Sequence, residues 1–166
     1  MDKVAARSAA RLKIHVDGAA RGNPGPAGAG AVLASGNGRK KEEISVPLGE
    51  TTNNVAEYCA LVLALQRAVA MGCSRVEVFT DSELLARQVT GEYRVKDKQL
   101  QILHTLIGEL QKGFKEFSIR HTPREQNRAA DRLASRAVTE WLRKNPPARR
   151  GPKAAEPPHP AQPSLF

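Results

Sequence analysis

Residues 54–71, NVAEYCALVLALQRAVAM, are apolar almost all round a helix, so the helix they form must be buried. Gly72 stops it. RVEVFT at 75–80 follows, alternating with the two-residue period of a strand. An earlier run, LKIHVD at 12–17, alternates in the same way, with Leu12, Ile14 and Val16 on one face. Strands that return through helices are expected to lie parallel to the first strand, with right-handed connections.

The other segments complete a mixed α/β pattern. GAARGNPGP at 18–26 reads as a turn. AGAGAVLA at 27–34 and KKEEISVP at 40–47 read as two strands joined by Ser35-Gly36-Asn37-Gly38, a hairpin signal. Residues 82–90 and 97–112 read as helices, and EFSIRH at 116–121 as a fifth strand ended by Pro123. Residues 125–143 form a last helix with Ala130, Ala134, Ala137 and Trp141 at core spacing. The expected order is β-β-β-α-β-α-α-β-α: three antiparallel strands, then two parallel returns.

A chain of 166 residues with 40% hydrophobic content can bury one core of its own. Residues 1–10 (MDKVAARSAA) are small and polar and read as a flexible N-terminus, and 11–144 as one domain. Seven of the 11 prolines fall in 145–166, NPPARRGPKAAEPPHPAQPSLF, which reads as a disordered tail. Two cysteines, Cys59 and Cys73, without a CxxC, argue against a zinc site and a disulfide framework. With no signal-peptide core and no membrane-length apolar run, a cytoplasmic monomer is expected. The net charge of +9 suits a polyanion such as nucleic acid, while 4% aromatic content disfavours a stacking single-strand binder.

Four carboxylates stand out. Asp17 and Asp81 each close a strand, and carboxyl ends of parallel strands are where open α/β sheets place their sites. An Asp after a strand also simply begins a turn. Glu57 lies in the first turn of the apolar helix, where Asn54 and Glu57 also resemble a capping box. Asp131 sits mid-helix on the border of the apolar face. Brought together, four such groups would repel unless cations were present, and hard oxygen ligands suit Mg²⁺ or Mn²⁺.

Asp17-Gly18, the GNPGPAG turn at 22–28, TTNNxxE at 51–57, TDS at 80–82 and HTPREQNRAAD at 121–131 occur in order. This set resembles the type 1 ribonuclease H family over roughly residues 11–143. The resemblance implies an α/β ribonuclease H-like fold with a five-stranded mixed sheet flanked by helices. It implies an endonuclease that hydrolyses the RNA strand of RNA–DNA hybrids by two-metal-ion catalysis with Mg²⁺, leaving 5′-phosphate and 3′-hydroxyl ends. The family's acidic tetrad, its metal ligands, falls on Asp17, Glu57, Asp81 and Asp131, and its mobile histidine on His121. Asn23, Thr52, Asn53, Asn54 and Ser82 fall where the family touches substrate. Two departures mark the chain: Glu83 stands where many members have Gln, and 91–101 (GEYRVKDKQLQ) is short where some members carry a basic protrusion. That shorter form resembles the prokaryotic and archaeal branch. The alternatives are a non-catalytic hybrid-binding module and a DNA-acting nuclease of the same superfamily.

The last five residues, Gln162-Pro163-Ser164-Leu165-Phe166, resemble the Q-x-S/D-L-F peptide by which bacterial replication proteins dock on the DNA sliding clamp. Leu165 and Phe166 would be the apolar anchors and Gln162 would fix register; Pro163 replaces the usual Leu.

Overall fold

The computed structural model describes residues 11–38 and 41–146. Its elements are β1 (Arg11–Ala20), β2 (Gly25–Ser35), β3 (Lys41–Thr51), α1 (Asn53–Ala70), β4 (Arg75–Thr80), α2 (Glu83–Val89), α3 (Lys98–Gln111), β5 (Glu116–His121), a 3₁₀ turn (Arg124–Gln126) and α4 (Arg128–Lys144). They form one five-stranded sheet in the order β3-β2-β1-β4-β5. β1, β2 and β3 pair antiparallel, while β4 and β5 run parallel to β1. The expected element order and the mixed sheet are both present. The expected flexible segment 1–10 and the tail from 147 onward, with Gln162, Leu165 and Phe166, lie outside the described residues.

α1 packs against β1 and β2 on one side and α3 on the other, which explains an apolar surface wider than one stripe. Leu12, Ile14 and Val16 of β1 meet Tyr58, Leu61 and Leu65 of α1 in the core. Tyr58 Oη donates to Gln88 Oε1 at 2.7 Å, so the one phenol buried in that core keeps a partner. α4 covers β1, β2 and β3 on the opposite face through Ala130, Ala134 and Ala137. Trp141, expected at the core, is only half-buried, because it sits against Gly49 of the edge strand β3.

Two glycines bring these helices close enough to matter for the site. A Cβ on Gly18 would strike the backbone of Ala56 and Glu57 in α1. One on Gly30 would strike the backbone of Ala130 and Ala134 in α4. Asp17 pairs with Gly30 across the β1–β2 ladder and so shares its face, whereas Gly18 points to the other. β1 is thus pressed between two helices at the position of its acidic residue.

Several boundaries differ from the sequence expectation. The turn is four residues long (21–24) rather than 18–26, because antiparallel pairing carries β1 to Ala20 and starts β2 at Gly25. β3 likewise runs on to Thr51. The last helix divides into a 3₁₀ turn and α4, with Asn127 between them.

Candidate active site

The parallel pairing of β1 with β4 ends at Val16 and Thr80, while β1 itself continues along β2. Asp17 therefore lies within β1 rather than at its end, at the point where its neighbour turns away. Asp81 follows β4 directly, so both carboxylates reach the same gap at the carboxyl end of the parallel pair.

Glu57 enters from α1. The expected capping box is absent: the N-cap is Thr52, whose Oγ1 accepts from the Val55 N–H at 3.2 Å. Glu57 is consequently two residues too far along to reach back to the cap, and it joins the acidic gap instead. One ligand atom from each of Asp17, Glu57 and Asp81 lies within 4.8 Å of the others. Asp17 and Glu57 are each 5% exposed, which is exceptional for carboxylates without a cationic partner. Glu57 Oε2 is buried with no hydrogen-bond partner.

Asp131 comes from the opposite face. It stands in the first turn of α4 rather than mid-helix, where the helix N-terminus favours a carboxylate. It lines the same cavity of about 470 Å³ as Asp17, Glu57 and Asp81, together with Arg21, Asn53, Ser82, Arg124 and Ser135. Arg124 lies 3.5 Å from the Asp131 carboxylate. A residue that sequence reasoning passed over sets this end of the site. Asn127 is buried and donates from Nδ2 to the Val16 carbonyl at 2.9 Å, tying the start of α4 to β1 beside Asp17. It lies within the HTPREQNRAAD motif, but an Asn before a helix ordinarily reads as a cap, a role its side chain does not take here.

The electrostatics follow from burial and like charge. Burial first, then the Asp81 charge, pushes Asp17 up to about 7 from its ordinary value of 3.8. Burial first, then Asp17 and Asp81, holds Glu57 well above the carboxylate range, although the Gly18 N–H donates to it. Oxygen-only donors, mutual repulsion and an orphaned buried oxygen are together the donor chemistry of a hard divalent cation.

The remaining expected residues divide. Asn53 and Ser82 line the cavity, and Ser82 Oγ also caps α2 by accepting from the Leu85 N–H at 3.2 Å. Asn23 accepts from the Asn53 N–H at 3.1 Å, so it braces the start of α1. Thr52 is spent on the cap, and Asn54 is exposed. His121 ends β5 in register with Thr80 but faces a separate cleft with Glu83, Arg87 and Arg120. His121 thus stands beside Thr80, one residue before Asp81, and lines a different cleft from the one that the four carboxylates line.

A family model described as "Reverse transcriptase-like" matches residues 15–137. The chain is 43% identical over 128 residues to a protein named Ribonuclease HI from Halobacterium salinarum, covering 77% of this chain and 64% of that protein. It is 38% identical over 129 residues to a bifunctional protein of Mycobacterium tuberculosis, of which it covers 35%. It thus spans between about a third and two thirds of these relatives' lengths. The N-terminal RNase H domain from M. tuberculosis, solved as a fusion with maltose binding protein, matches with a TM-score of 0.75 at 38% identity, over 77% of this chain and 98% of that one. LC11-RNase H1, solved in complex with an RNA/DNA hybrid, matches with a TM-score of 0.72 at 39% identity, over 79% and 99%.

Proposed function

The chain belongs to the type 1 ribonuclease H family, and from that premise we propose that it is an endonuclease cutting the RNA strand of RNA–DNA hybrids, leaving 5′-phosphate and 3′-hydroxyl ends. The observation that carries the reading is the largely buried cluster of Asp17, Glu57 and Asp81, in which one Glu57 oxygen has no hydrogen-bond partner. A pure binding module would gain nothing from three carboxylates that destabilise one another.

Asp17, Glu57, Asp81 and Asp131 would hold two Mg²⁺ ions, with Mn²⁺ as a substitute. Bound there, the ions would supply Lewis acidity and a lowered pKa for the attacking water. Asp17, the most enclosed of the strand acids, would hold metal from β1, and Asp131 from the α4 side of the cavity. Arg124 restrains the Asp131 carboxylate. Asn53 and Ser82 present donors and acceptors at the cavity wall, where a 2′-hydroxyl can be told from hydrogen. Asn23 and Thr52 support the wall by holding the start of α1, and exposed Asn54 is left to meet substrate. His121, beside the cavity rather than in it, is assigned to proton transfer or product departure.

The test is to incubate the full chain with labelled hybrid, duplex DNA and duplex RNA, with and without Mg²⁺. Mg²⁺-dependent cutting of the RNA strand of the hybrid alone supports the reading. Cutting of duplex DNA would assign a DNA nuclease, and binding without cutting a hybrid-binding module.

The same proposal includes a cytoplasmic monomer that docks on the DNA sliding clamp through Gln162, Leu165 and Phe166. Such tethering would raise the local concentration of the nuclease at replicating DNA. Micromolar binding of the full chain to the clamp, lost on Leu165→Ala with Phe166→Ala, supports docking. Equal binding by both proteins removes it.

A further inference from the structure

A second cleft adjoins the carboxylate cavity and is walled largely by arginine. It has a volume of about 420 Å³ and is lined by Arg124, Glu125, Arg128, Asp131 and Arg132. Arg124 and Asp131 line the carboxylate cavity as well. The two form one groove that leaves the acidic cluster over the start of α4. Arg128 and Arg132 are exposed and one turn apart, about 6 Å along the helix axis. That is comparable with the step between successive phosphates on a nucleic-acid strand.

The charges of these two arginines are left open. Several other helix cations are neutralised locally. Arg67 of α1 pairs with Glu42, Arg87 of α2 with Glu83 and Glu92, and Lys144 at the far end of α4 with Glu140. Neither Arg128 nor Arg132 has an ion pair among the described residues. An exposed guanidinium presents a planar fork of donors that matches phosphate geometry.

A strand whose phosphate sits at the carboxylates must continue beyond them, and its next phosphates are repelled by the same acids that hold the cations. Positive charge beside the cavity is needed to keep the strand on course. The connection between α2 and α3 does not provide it: residues 90–97 carry Glu92 and Asp97 against Arg94 and Lys96. We propose that Arg128 and Arg132 form a phosphate track that holds the strand being cut as it leaves the carboxylate cavity along α4. The proposal rests on the nuclease reading above.

The experiment measures binding of a fluorescent hybrid to the full chain in EDTA, so that the substrate stays intact, across a salt series. The double variant Arg128→Gln with Arg132→Gln is compared with wild type. A second double variant, Arg75→Gln with Lys112→Gln, removes the same charge from distant surfaces. The track variant is expected to bind about tenfold more weakly at low salt, with a log–log salt slope lower by roughly 1.5, while the distant variant keeps the wild-type slope. Trimming the duplex from one end should abolish the difference, and trimming from the other should preserve it. Equal slopes for the two variants, or a difference indifferent to trimming at either end, would overturn the track. Cleavage by wild type in Mg²⁺ is scored separately. No cleavage with the binding difference intact rejects the nuclease reading, whereas cleavage without the difference rejects the track alone.

Discussion

Replacing Asp17 with Asn should make the metal-free protein more stable while abolishing hydrolysis. In the folded chain burial and Asp81 raise the Asp17 carboxyl to about 7, against an ordinary 3.8. At about 1.4 kcal/mol per pKa unit, ionising Asp17 costs the native state roughly 4 kcal/mol more than it costs the unfolded chain. Between about pH 4 and 7 the folded state holds a proton that the unfolded state has lost, so stability falls as pH rises through that window. Below it both states are protonated and the penalty vanishes; above it the penalty is complete. Asn has the same shape and no charge. It gives back about 1–3 kcal/mol through an amide buried among acids. The net gain above about pH 7.5 is therefore about 1–3 kcal/mol, or a Tm higher by roughly 2–10 °C. The assay is thermal unfolding of both proteins in EDTA at about pH 8 and about pH 5, repeated with Mg²⁺. The stability gap should widen from the lower pH to the higher, and Mg²⁺ should raise the wild-type Tm more than the variant's. A variant less stable than wild type at the higher pH, or a gap equal at both, would refute the electrostatic reasoning.

Asp81→Asn should reduce Mg²⁺-dependent cleavage below a few per cent of wild type with unchanged circular dichroism; substantial residual turnover would remove Asp81 from the ligand set. His121→Ala should slow turnover without ending it, since the side chain faces a different cleft from the carboxylates; a loss as complete as that of Asp81→Asn would make it essential. Gly30→Ala should destabilise by about 1–3 kcal/mol or more, because its Cβ would meet α4 backbone that cannot yield without moving Asp131. Denaturant unfolding measures this, and a near-neutral result would show that the α4 contact is slack.

Periodicity and turn signals determined the order of elements: LKIHVD and RVEVFT alternate with period two, and residues 54–71 are too apolar for any but a covered helix. The acids were legible because each belongs to a local motif. What no local pattern contains is where a strand stops when its two neighbours disagree. β1 continues past Asp17 because β2 pairs with it there, although β4 has already left. Helix starts were equally hidden: Thr52 takes the cap that Asn54 was expected to hold, and that shift of two residues frees Glu57 for the acidic cluster. Asn127 bonding the Val16 carbonyl 111 positions away, and Gly30 admitting the α4 backbone, are long-range contacts. The sequence thus carried the identity of the reactive groups, while their convergence from two faces of the sheet depended on packing, because distances between helices are set by what fits between them rather than by any one segment's own preference.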